Sequence, residues 1–227
     1  MNLAVRIRIE PRRRAWASLR LMGLIGLVGL TSLAGCGSLL PKPPAPPALF
    51  LLEDGATPTA DLPSKPALGA VASTLVVAET RAAPGYGTRQ IAYVRTANQL
   101  EYFAFSQWAE PPALMLAPLL AHAIERTGAF RAVARAPLSV AGDMRLETEL
   151  IRLQQDFGVM PSRVRLTLRG VLVDIATRRV LATREFDAAV LSPSEDPAGG
   201  VMAANQAAQR VAAEVGAFCA DWVANRK

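Results

Sequence analysis

The chain has 227 residues, 51% of them apolar and 19% charged, and a formal net charge of +6. Most of that excess sits in the first 35 residues, which hold six Arg and one Glu; the remainder holds 19 basic and 18 acidic residues. The basic balance is therefore largely a feature of the leader and not evidence for nucleic-acid binding, and the roughly 190 remaining residues suffice for one domain with a real core.

Arg6, Arg8, Arg12, Arg13, Arg14 and Arg20 form a basic leader, and Leu21 to Gly35 follow without a charge. That run is shorter than the roughly 20 apolar residues needed to span a bilayer core, and it suits a secretory signal. It ends in Leu33-Ala34-Gly35-Cys36, which resembles the lipobox of bacterial lipoproteins. We therefore expect a signal peptide over 1–35, removed to leave Cys36 as a lipidated N-terminus, with attached acyl chains such as palmitate. Two or more acyl chains anchor a protein stably, at about 0.8 kcal/mol per buried CH₂. Gly37, not Asp, follows the cysteine. By resemblance to Gram-negative lipoproteins, this favours the outer membrane over the inner one.

Pro41, Pro43, Pro44, Pro46 and Pro47 then form a spacer. In polyproline II form it would extend about 20 Å, at roughly 3.1 Å per residue. The domain is expected over 49–227, with residues 36–48 as its tether. Ala48 to Leu52 reads as a short first strand, Gly55 to Leu68 as a loop, and Thr74 to Thr80 as a strand. Arg81 to Gly87 reads as a turn region, and Arg89 to Thr96 with Leu100 to Gln107 as a hairpin turning at Ala97-Asn98-Gln99. Pro111 and Pro112 can open a helix, with Leu116, Leu119, Leu120, Ala123 and Ile124 on one face and Gly128 as its stop. Pro118 conflicts with that helix, since an interior proline costs about 3 kcal/mol. It predicts a regular helix that starts near Ala117 or is kinked.

Phe130 to Arg135 is a short strand and Asp143 to Phe157 a long one, in which Met144, Leu146, Thr148 and Leu150 alternate with charged residues. In Arg163 to Ile175 the apolar phase changes after Gly170, predicting a bulge or a close backbone approach there. Arg178-Arg179 lies in the next turn, and Val180 to Leu191 returns as a strand. Asp196 can cap the last helix and Pro197 can occupy its first turn. Val201, Ala204, Ala208, Val211, Val215, Phe218 and Trp222 then recur at helical spacing as a core face. These elements predict a single mixed α/β domain, with a mostly antiparallel sheet layered against two main helices.

Chemistry is harder to find. His122 is the one histidine, and Gly-x-Ser-x-Gly, His-Glu-x-x-His, Cys-x-x-Cys and a phosphate-binding glycine loop are all missing. No catalytic residue, metal or cofactor is expected, and the protein reads as a non-enzyme. Glu147 and Glu149 read as exposed strand charges. With Cys36 lipidated, Cys219 has no partner for an intramolecular disulfide and suits a buried helix position. The candidate contact residues are Arg163, Arg165 and Arg169, a basic strand face suited to anionic headgroups or an acidic partner. Tyr102, Phe103, Phe105 and Trp108 are an aromatic cluster suited to the core, of which an exposed subset, with Trp108 the candidate, would mark a partner surface.

Several strings share one resemblance: Arg89-Gln90-Ile91-Ala92-Tyr93, Leu100-Glu101-Tyr102-Phe103 and Gln107-Trp108-Ala109-Glu110-Pro111-Pro112. Gly128-Ala129-Phe130, Val180 through Phe186 and Ala203 through Ala208 continue it, so that it spans most of residues 49 to 223. The sequence resembles the ABC-type transport auxiliary lipoproteins, which include paraquat-inducible protein C. The resemblance implies a single α/β domain on a periplasmic lipoprotein, acting with an MCE-type, ABC-driven lipid transport system between the two membranes. Its partners would be the membrane, through the lipid anchor, and an MCE-domain protein, with phospholipid as a further candidate ligand; the resemblance does not name the cargo. A lipid-binding carrier and an outer-membrane assembly factor are the alternatives; the first predicts a continuous apolar cavity.

Overall fold

The structure is a computed structural model that describes residues 45–53, 71–137 and 141–225. The leader, Cys36, the first part of the Pro-rich spacer and the loop expected over Gly55 to Leu68 lie outside the described residues. The described elements run β1 (Ala48–Phe50), β2 (Val71–Val77), β3 (Arg81–Ala82), β4 (Gln90–Val94), β5 (Leu100–Trp108), α1 (Pro112–Glu125), β6 (Phe130–Arg135), β7 (Met144–Asp156), β8 (Arg163–Asp174), β9 (Val180–Leu191) and α2 (Pro197–Ala224).

β7 is the axis of the sheet. One of its edges pairs antiparallel with β8, from Met144 opposite Asp174 to Asp156 opposite Arg163, and β8 pairs antiparallel with β9. The other edge takes three short strands in series, all parallel to β7. β2 pairs at Leu75–Val77, β3 at Arg81–Ala82 and β4 at Tyr93–Val94. β6 adds beside β2, while β5 and then β1 add beside β4. The result is one open mixed sheet that forks around β7.

Alternation explains which face is covered. Met144, Leu146 and Leu150 of β7, Leu166, Leu168 and Leu172 of β8 and Phe186 of β9 are all buried side chains. α2 packs on β8 and β9, and α1 packs on α2 and β6. α2 brings Val201, Ala204, Ala208, Val211 and Val215 into the core, and Phe218 and Trp222 sit at its margin. Small residues let it come close: a Cβ at Gly200 would lie 2.2 Å from Gln155 Oε1. The Asp196 carboxylate accepts the Gly199 N–H at 2.7 Å, so the expected cap is made. That bond and one from the Ser194 hydroxyl hold its pKa below the usual carboxylate value.

Three expectations need correction. Burial does not change phase at Gly170: Val164, Leu166, Leu168, Gly170 and Leu172 are all buried. Of the two features expected at Gly170 it is the close approach that is present, where a Cβ would meet the Phe186 ring at 3.2 Å. The register shifts lie in the neighbouring strands: between Leu150 and Arg152 of β7, where burial shifts from Leu150 to Leu153 and Gln155, and between Val180 and Ala182 of β9. α1 begins at Pro112, not near Ala117, and runs through Pro118. Pro118 and Leu114, whose carbonyl the proline leaves without its helical donor, are both exposed, so water can hydrate it. Arg81–Ala82 is also more than a turn, since it pairs with Glu149–Leu150.

Candidate interaction surfaces

The open face of β7, β8 and β9 carries the expected arginines. Glu149, Arg169 and Glu185 stand in one cross-strand row, and the Arg169 guanidinium reaches both carboxylates at 3.5 Å. Arg165 reaches Asp187 at 3.7 Å, and Arg163 reaches Asp156 at 3.5 Å. Arg81 adds a contact to Glu147 at 3.8 Å. The Thr167 hydroxyl donates to the other oxygen of Asp187 and is buried beneath these charges. The strand order thus brings Arg163, Arg165 and Arg169 together, each next to a carboxylate. Their charge is largely balanced locally, and Glu147 and Glu149 serve in that balance. Partly exposed pairs of this kind contribute about 0.2–1 kcal/mol each and weaken in salt.

Trp108 lies elsewhere. Its side chain is 2% exposed, so it offers no contact area to a partner, contrary to the expectation for this residue. The Trp108 backbone N–H donates to the Arg89 carbonyl at 2.7 Å, and the residue stands in register with Phe50 of β1. The backbone here thus ties β5 to β1 and to the start of β4, while the indole is buried in the core. It also lines a cavity of about 10 Å³ with Ile91, Gln155, Val164, Gly200 and Ala204. That is room for about one water, not an acyl chain. A wider depression of about 390 Å³ lies open to solvent between α1 and α2, beside Arg126, Thr127 and Gln209.

The exposed member of the aromatic cluster is Phe105, at 67%. Burial alternates along the end of β5, with Phe105 and Gln107 outward and Ser106 and Trp108 inward. Leu49, 62% exposed, stands in register with Gln107, and Leu51 follows at 50%. The continuous apolar run Ala48 to Leu52 gives no periodicity in the sequence, so these outward leucines were not visible there. Deeper in the fork, Tyr93, Phe103 and Phe157 pack ring against ring. The Tyr93 hydroxyl donates to Glu101 at 2.9 Å, and that bond, helped by burial, raises its pKa.

Of the chemically reactive groups, Cys219 is buried on α2, and burial pushes its thiol up to about 12. His122 is half exposed, 3.8 Å from Glu125. Among the described residues, no cluster of His, Cys, Asp and Glu is placed to hold a metal, and no helix is long and apolar enough to cross a membrane.

The model of the ABC-type transport auxiliary lipoprotein component family matches residues 50–216, almost the whole described domain. The chain belongs to that family. Protein XCC0632 of Xanthomonas campestris, a DUF330 protein, superposes on this auxiliary lipoprotein with a TM-score of 0.67 and 27% identity, over 77% of this chain and 95% of that one. A second solved structure, of an uncharacterized protein, covers 77% of this chain and 99% of its own at a TM-score of 0.59; its 12% identity speaks for the fold alone. No match was found among curated proteins.

Proposed function

We propose that this auxiliary lipoprotein is a non-enzymatic adaptor of an MCE-type ABC lipid transport system, anchored through acylated Cys36 at the periplasmic face of the outer membrane. The observation that carries the reading is the family match, which runs through the whole domain from β1 to the middle of α2. The geometry favours an adaptor over a carrier. The core is filled by interlocking leucines, phenylalanine and alanines, and the cavity beside Trp108 is far smaller than a lipid tail. A domain of this kind acts by what its surfaces touch, and a tether raises its local concentration near partners to about millimolar.

Capture of the acylated protein from solubilised, cross-linked envelope tests the reading. Co-recovery of an MCE-domain protein is expected. Recovery of a β-barrel assembly partner, or of no MCE-domain protein, would overturn it. Metabolic labelling with a fatty-acid probe tests the anchor independently: Cys36→Ser should abolish uptake, and membrane fractionation should place the label in the outer membrane.

A further inference from the structure

The exposed apolar side chains near the start of the domain are held in a fixed position. Phe50 accepts the Ala109 N–H at 2.7 Å, and β1 is laced onto β5. Just beyond, the Asn205 side chain donates to the Leu51 carbonyl and accepts the Glu53 N–H, and Gln209 donates to the Glu53 carbonyl. The chain is thus clamped to the sheet on one side and to α2 on the other. Leu49 and Leu51 point outward from a braced backbone, with Phe105 on the outward side of the neighbouring strand. Leucines and phenylalanine at half exposure or more, presented together on fixed backbone, suit an apolar or interfacial surface.

The position of the patch in the chain says which surface. Leu49 is thirteen residues after Cys36. Even fully extended, that segment spans at most about 45 Å, at 3.3–3.6 Å per residue. We propose that Leu49, Leu51 and Phe105 rest on the lipid bilayer that holds the anchor, giving the domain a defined orientation on the membrane. This rests on the acylation of Cys36 proposed above. An apolar face of this kind sits at the boundary of headgroups and acyl chains. The contact can be individually weak, because the anchor already confines the patch near the membrane. The ion-paired face of β7–β9 is then free for a protein partner.

The test uses the acylated full-length chain in phosphatidylethanolamine–phosphatidylglycerol vesicles. Nitroxide is placed by Leu49→Cys, Leu51→Cys or Phe105→Cys, one at a time, with Val180→Cys at the exposed start of β9 as reference. Cys219 stays unlabelled because its thiol is buried and protonated at the labelling pH. Flotation reports the anchor, and collision with oxygen against a water-soluble nickel chelate reports depth. The ratio of oxygen to nickel collisions should be several-fold higher at 49, 51 and 105 than at 180. Equal, water-like ratios at all four sites in floating vesicles would overturn the docking while leaving the anchor intact. Shielding from both reagents at 49, 51 and 105 would mean that a protein covers the patch, and would also overturn it. A chain that does not float refutes the anchor itself, and the docking falls with it.

Discussion

The two branches of the sheet are built differently. On the β7–β8–β9 side, two long antiparallel ladders carry fully buried leucines on one face and paired charges on the other. α2 covers the buried face. On the β4–β5–β1 side the pairings are short, the register of β4 on β5 breaks between Gln90 and Ala92, and apolar side chains remain outside. The first side buries most of its apolar residues and pairs most of its charges, with Val180 and Leu191 exposed only at the two ends of β9. The second leaves Leu49, Leu51 and Phe105 with contacts still to make. The domain thus sets a largely self-contained scaffold beside a margin that keeps apolar side chains outside.

Substitutions can break that contrast. The largest effect is expected for Leu166→Ala, at the buried centre of β8, which should destabilise by about 2–5 kcal/mol. In thermal unfolding, each kcal/mol lowers the Tm of a domain this size by roughly 2–4 °C. Gly200→Ala should come next, at about 1–3 kcal/mol, because its methyl would drive into the buried Gln155 amide where α2 touches β7. Arg169→Ala loses two cross-strand contacts but should cost about 1 kcal/mol or less, a difference that shrinks in high salt. On the other branch, Leu49→Ser and Phe105→Ser should change stability by no more than about 0.5 kcal/mol, as expected for exposed positions. A large loss of stability at either position would mean that the margin is part of the scaffold after all.

Asp196 sharpens the scaffold side through pH. Its folded-state pKa is lowered by the bonds it accepts at the start of α2. The stability it contributes is therefore fully present above its ordinary value of 3.8 and is lost as pH falls through the lower folded value. Asp196→Asn keeps an acceptor at the cap but should flatten this part of the acid limb in pH-dependent unfolding. An unchanged acid limb would show that the carboxylate charge is not what the cap uses.

The scaffold was the legible part of the sequence. Val180 to Leu191 and Phe130 to Arg135 appear with the predicted bounds, and Asp196 caps α2 as expected, because alternation and capping are local signals. The margin was less legible. β3 is two residues long and owes its existence to β7, and β1 is three residues laid on β5, so neither has room for a pattern. The apolar phase change after Gly170 marks no bulge in β8 itself: the extra residues sit in its two neighbours, at Ile151 of β7 and Leu181 of β9, because a strand's own sequence does not say which partner carries the extra residue. Trp108 shows the same limit at the level of a single side chain. The motif around it marks the family, yet the tertiary register of β1 on β5 decides that its ring faces inward.

In the function proposed above, the domain works from an acyl anchor by its surfaces and not by an internal lipid. Native mass spectrometry of the protein released gently from outer membranes tests both halves of that statement at once. The predicted spectrum is a chain beginning at Cys36, heavier by its covalent acyl groups and free of bound phospholipid. A chain that begins elsewhere without acyl mass, or one that carries a stoichiometric phospholipid, would contradict it.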